Sequence, residues 1–119
     1  MADIFTDDGE ELVVDIMDST VAQPTWYVAW GTGAGTAAKG DTTLFTEAAE
    51  SRVATTDSQP SANQNRFVGT ITSASGQTIT NAGIFDATSA GNLLLKSDFT
   101  GVVLANGDGI QFTFTLTWA

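Results

Sequence analysis

The sequence predicts an all-β protein, an antiparallel β-sandwich of jelly-roll type with a short N-terminal helix or arm, and three observations predict it. Near the end of the chain Ile110, Phe112, Phe114, Leu116 and Trp118 alternate with Gln111, Thr113, Thr115 and Thr117. A strict period of two is the mark of a half-buried strand. From Arg66 onward, turn-forming residues recur at spacings near ten, the rhythm of a sandwich or barrel. Nineteen threonines suit the solvent face of a sheet, because a β-branched side chain fits the pleat. The 119 residues make one domain, residues 1–119, with room for a single core.

Taken in order, residues 1–20 stand apart. They carry Asp3, Asp7, Asp8, Glu10, Glu11, Asp15 and Asp18, half of all the acids, and no base. Leu12, Val13, Ile16 and Met17 recur at helical spacing, and the acids gather where a helix dipole favours them. The spacing predicts an amphipathic helix over residues 7–18, capped by Thr6 or Asp7. A strand over residues 12–17 competes, because Val13, Val14 and Ile16 are β-branched, and Gly9 weakens the helix. As a short amphipathic element at a terminus, the segment is expected to pack at a subunit or partner interface as well as on its own domain.

Pro24 closes that segment. A buried strand follows, with Trp26, Val28 and Trp30 on one face and Tyr27 and Ala29 on the other. Residues 31–41 are rich in glycine, yet Lys39 precedes Gly40 and Asp41 rather than Ser or Thr, so the phosphate-loop pattern fails. The dinucleotide pattern fails too, for want of a crossover helix. A long mobile surface loop is the prediction. Leu44 and Phe45 are expected to anchor a short helical turn. Glu47 and Glu50 lie three apart, followed by Arg52. A solvated turn with an ion pair to Arg52 or Arg66 is favoured over paired-carboxylate chemistry.

Residues 52–56 read as a short strand and residues 57–65, polar throughout, as an exposed turn. Residues 66–71 form a strand with Phe67 and Ile71 on one side, interrupted by Gly69. Residues 78–86 form the next, with Ile79, Ile84 and Phe85. Asp86 is expected to accept backbone hydrogen bonds in the loop before Leu93, Leu94 and Leu95 open another strand. The apolar run 99–105 and the last strand are joined by Asn106-Gly107-Asp108-Gly109, which reads as a hairpin. The predicted core is Trp30, Phe67, Ile79, Ile84, Phe85, Leu94, Phe112, Phe114 and Leu116.

Composition narrows function. Cysteine and histidine are both absent, which removes disulfides, thiolate nucleophiles, the commonest metal ligand and every His-containing triad. No catalytic, cofactor-binding or metal-ligating residue is assigned, and no enzyme activity is expected. Fourteen acids against four bases give a formal net charge of −10. Lys39, Arg52, Arg66 and Lys96 are scattered, so neither nucleic acid nor an anionic membrane surface suits the chain. No run reaches a membrane span, no basic start precedes an apolar stretch, and a soluble protein is expected.

Several stretches together resemble a family of small structural proteins of tailed bacteriophages. They are the Tyr27-Val-Ala-Trp-Gly-Thr-Gly33 run, Gly40-Asp-Thr-Thr-Leu44 with Glu47 and Glu50-Ser-Arg52, Asn81-Ala-Gly-Ile-Phe-Asp86, and Gly91-Asn-Leu-Leu-Leu95 with the end of the chain. Their order is similar to that of tail-collar fibre modules and of small stand-alone virion proteins. The resemblance implies a β-sandwich that assembles into homotrimers or rings on a virion, made in the host cytoplasm, and it brings no catalytic residues.

The leading expectation is a capsid decoration, or cement, protein that binds the major capsid protein and stabilises the shell. A tail fibre, collar or baseplate module, partnered by tail proteins, is the alternative. A carbohydrate-binding module using Trp26, Tyr27 or Trp30 as a sugar platform beside Glu47 or Glu50 ranks lower, because alternating aromatics in a strand are more often core.

Overall fold

A computed structural model describes residues 2–118. In chain order the elements are β1 (Ala2–Phe5), α1 (Asp7–Met17), β2 (Tyr27–Gly31), β3 (Val53–Ala54), β4 (Thr56–Ser61), β5 (Gln64–Thr72), β6 (Gln77–Phe85), β7 (Leu93–Leu104) and β8 (Gly109–Thr117). A five-stranded sheet runs β1-β7-β6-β2-β3 and a three-stranded sheet runs β4-β5-β8. All pairings are antiparallel. The inner faces of the two sheets meet in one apolar cluster, with Val28, Trp30, Ile79 and Ile84 from the larger sheet and Phe67, Ile71, Phe112 and Phe114 from the smaller. The β-sandwich expected from the sequence is borne out. Trp26 meets Phe67 edge-on at 5.8 Å, and Trp30 meets Phe112 likewise at 6.2 Å, the T-shaped geometry that aromatic quadrupoles favour.

The predicted core is buried with one exception. Leu116 is half-buried and packs at the margin of the cluster, where β8 runs out towards the end of the sandwich. The helix forms where its spacing placed it. Thr6 is the cap, its hydroxyl oxygen accepting from Gly9 N at 3.0 Å, and Leu12 reaches the core. Gly9 has a purpose that helix propensity hides: a Cβ there would lie 2.6 Å from the Leu94 carbonyl oxygen, so glycine lets α1 press against β7.

Several expectations are corrected. Residues 2–5, read as helix or arm, form a strand that pairs with β7 from Ala2 opposite Asp98 to Phe5 opposite Leu95. Residues 57–65, read as a turn, are mostly β4, an edge strand exposed along its whole length. With neither face buried, no alternation marks it, and Pro60 falls where the register shifts between Ser58 and Ser61, a position an edge strand tolerates. The anticipated hairpin before β8 is an arch, since β7 and β8 belong to different sheets. Asp108 closes the corner, accepting from Ala105 N at 2.9 Å, while Gly107 N donates to Ser73 O at 2.8 Å. Such turn chemistry serves either outcome, and the pattern of each arm does not name its partner. Leu44 and Phe45 sit in no helical turn.

The loop between β2 and β3 decides how the outer face of the larger sheet is covered. Register places Ala29, Gly31, Asn81, Gly83, Phe85 and Lys96 on that face, and residues 32–52 are strapped across it. Phe45 N donates to Asn81 Oδ1 at 3.0 Å and Asn81 Nδ2 donates to Phe45 O at 3.1 Å, so one buried amide side chain pairs with a backbone as a strand would. Gly33 N also donates to Phe45 O, at 2.9 Å, and Ala48 N donates to Trp30 O at 2.9 Å. Leu44 packs with Ala29, Phe85 and Leu93. Lys96, 1% exposed, donates to Asp41 Oδ2 at 2.9 Å and Thr43 O at 2.8 Å, and its ammonium lies 3.3 Å from the centre of the Phe45 ring. A buried cation is tolerable only with such partners. The glycines predicted to make a mobile loop instead give the strap its close fit, because a Cβ on Gly33 would stand 2.6 Å from Thr46 Oγ1 and one on Gly35 2.6 Å from the Phe45 ring.

Two substitutions separate an anchored strap from a free loop. Gly33→Ala is expected to lower stability by about 1 to 3 kcal/mol, as overpacking does. Gly40→Ala, where an added Cβ meets nothing within 4 Å, should leave stability unchanged or raise it by less than about 1 kcal/mol. Urea unfolding of both variants checks this, and equal effects would contradict it.

Candidate functional site

The sequence nominated three aromatics as a sugar platform, and the sandwich disposes of them differently. Trp26 and Trp30 point inward and are 6% and 1% exposed. Tyr27, on the opposite face by the strand's alternation, is half-buried. No flat aromatic surface remains among these three for a ring to stack on.

Glu47 and Glu50 are likewise committed to separate tasks. Both Glu47 oxygens accept from Arg52, from Nε and Nη2 at 2.9 Å each, a bidentate fork that fixes geometry as well as charge. The Arg52 side chain is 5% exposed. It also donates to the Ala87 and Ala90 carbonyls at 2.8 Å and covers the Phe85 ring at 3.6 Å. The expected ion pair is present, but it is a fastening between the strap and the β6–β7 hairpin rather than a loose surface pair. Asp86 does what its position predicted, accepting from Asn92 N at 2.7 Å, and Gly91 beside it takes a positive φ of 74°.

Glu50 gathers four elements. It accepts from Trp30 Nε1 at 3.1 Å, Ala74 N at 2.9 Å and Gln77 Nε2 at 2.7 Å, and so ties the strap to β2 and to the β5–β6 turn. Partial burial pushes this carboxyl up, but the donors from Ala74, Trp30 and Gln77 together outweigh it and hold the group below its usual value. Asp41 is lowered in the same way, burial being outweighed by Ala38 N and the Lys96 ammonium.

Two recesses on the surface escaped the sequence reading. One, of about 200 Å³, lies between α1 and the three-stranded sheet and is lined by Met17, Trp26, Arg66, Leu116 and Trp118 among others. Trp118 belongs to the alternation of β8 but lies past its end, 38% exposed. It stands edge-on to Phe5 at 5.6 Å and donates from Nε1 to Asn65 Oδ1 at 2.8 Å. The other, of about 480 Å³, is the open side of the sandwich between β7 and β8, lined by Phe99, Val102, Ile110, Phe112 and Phe114 with polar neighbours. Among the described residues no three His, Cys, Asp or Glu side chains gather as a metal centre would require.

A folded-state carboxyl pKa below its unfolded value stabilises the fold above that value, and the stabilisation is lost as pH falls through the folded one. Stability should therefore drop as pH falls below about 4.5, the ordinary glutamate value. Glu50→Gln should flatten that dependence while lowering stability at pH 7. Urea midpoints across pH 3 to 7 measure both, and an unchanged slope would contradict the role given to Glu50.

No match is found among curated proteins. Residues 5–116 match the family described as Gp80, podophage GP4 fiber I protein gp80, a span from the end of β1 to the last turn of β8's alternation. The chain belongs to the podophage GP4 fiber I protein gp80 family and is a structural protein of a bacteriophage virion.

Proposed function

We propose that the protein is a structural module of the phage tail-fibre apparatus, joined to other virion proteins through its surface and carrying out no catalysis. The observation that carries this reading is the family match over residues 5–116, to a family described as a fibre protein. It favours the fibre over the capsid decoration expected first from the sequence. The structure supports a scaffold role independently. Its polar side chains are spent on fastening the fold, as Glu47, Glu50, Asp41 and Lys96 illustrate, and exposed apolar side chains such as Met17 and Val103, each 80% exposed, are left for contact with neighbours. A carbohydrate platform at Trp26 and Trp30 loses its support, because both are core.

Immunogold labelling of intact virions with antibody raised against the purified chain tests the placement. Gold confined to the tail and its fibres is the expected result. Labelling distributed over the capsid faces would overturn the fibre reading in favour of decoration.

A further inference from the structure

The corner between β7 and β8 carries the chain from one sheet to the other, and its residues are Ala105-Asn106-Gly107-Asp108-Gly109. Asparagine before glycine is the pair in which a side-chain amide is most open to attack by the next backbone nitrogen, because glycine has no side chain to obstruct the approach. Asn106 is the one asparagine so placed. Asn63, Asn65, Asn81 and Asn92 precede Gln64, Arg66, Ala82 and Leu93, and Asn81 is also buried, its amide spent on Phe45. Asn106 and Gly107 are exposed, and a Cβ on Gly107 would meet nothing within 4 Å. Water reaches both.

Two related pairs are closed off. Asp8-Gly9 lies in α1, where Gly9 N donates to Thr6 Oγ1 at 3.0 Å. At Asp108-Gly109 the carboxylate is turned back to accept from Ala105 N at 2.9 Å, and a carboxylate is a poorer electrophile than an amide.

The corner also restrains Asn106. Asp108 N donates to Ala105 O at 3.1 Å, closing a turn in which Gly107 takes a φ of 93° and Asn106 keeps a negative φ. That is a type II turn, which sets ψ of its second residue at about +120°. Gly107 N donates to Ser73 O at 2.8 Å. For Gly107 N to face Asn106 Cγ, the peptide plane between the two residues must turn over, and turning it breaks the bond to Ser73.

We propose that Asn106 is a gated deamidation site whose rate is set by opening of the Gly107–Ser73 hydrogen bond. Once the plane turns, Gly107 N loses its proton to solvent and attacks Asn106 Cγ. The bond from Cγ to the side-chain nitrogen breaks, that nitrogen takes up a proton and leaves as ammonia, and a succinimide ring remains. Water then opens the ring. Addition at Cγ gives aspartate, while addition at the main-chain carbonyl carbon gives isoaspartate, whose main chain runs through Cβ and is longer by one methylene. Either product places a new negative charge beside Asp108. Isoaspartate also displaces Gly107 N from Ser73 O and loosens the entry to β8. A virion protein is not renewed after assembly, so the change accumulates with age. This inference is independent of the fibre reading, because it is measured on the isolated chain.

Peptide mapping by mass spectrometry tests it, following every asparagine of the full chain with time in mildly alkaline buffer, folded and in urea. In urea Asn106 should convert ahead of the other four. In the folded chain its conversion should be at least ~10-fold slower, since Gly107 N is released only by local opening. Asp108→Ala removes the acceptor of Ala105 N and should speed conversion of Asn106 in the folded chain ~10-fold, as the loss of a hydrogen bond to a charged group would. The wild-type comparison stands whether or not that variant folds. Earlier conversion at another asparagine, or equal rates at Asn106 with and without urea, would overturn the proposal. So would a folded Asp108→Ala variant that converts no faster than the wild type.

Discussion

The grip on Phe45 is the constraint from which the outer half of the molecule follows. Its ring and backbone are held on opposite sides, by Gly35 and the Lys96 ammonium on the ring and by Asn81 and Gly33 on the peptide groups. A strap that lacks regular structure must still satisfy its buried amides, and Asn81 does this from within the neighbouring strand. Once the strap is down, Leu44 closes the cluster with Phe85 and Leu93, Glu50 reaches Trp30, and Arg52 meets the β6–β7 turn. The larger sheet is then buried on both faces, which explains why β6 and β7 read as nearly unbroken apolar runs near Ile84 and Leu94.

This arrangement also divides the surface by purpose. Three of the four basic side chains fasten the strap or its ends: Lys39 to Asp7 and Glu10 at the start of α1, Arg52 to Glu47, and Lys96 to Asp41. Each meets acids close by, and most of the remaining acids give the surface its charge.

Much of the architecture was legible because burial imposes period. β8, β5 and β6 each bury one face against the other sheet, so Phe112 and Phe114, Phe67 and Ile71, and Ile79 announce themselves in sequence. Helix α1 was legible for the same reason, through Leu12 and Ile16. What lacked a one-sided environment was not readable. β4 buries neither face, β1 is only four residues long, and the strap depends on contacts such as Asn81 with Phe45, 36 residues apart, that no local pattern encodes. Sheet partnership was hidden too, since the arms of the Asn106-Gly107 corner look alike whether they pair or part. The carboxylates Glu47 and Glu50 were noticed for their spacing, but their roles come from Arg52 and Trp30, which only the fold brings to them. The family resemblance carried the virion assignment.

The anchoring of the strap is tested most directly by hydrogen–deuterium exchange resolved to single amides. Gly33, Phe45 and Ala48 donate to Phe45 O, Asn81 Oδ1 and Trp30 O respectively. Their exchange should be slowed to within about tenfold of amides in β2 and β6, since they open only with the sheet beneath them. Fast exchange at these three positions, with the strands still protected, would contradict an anchored strap and leave a mobile loop in its place.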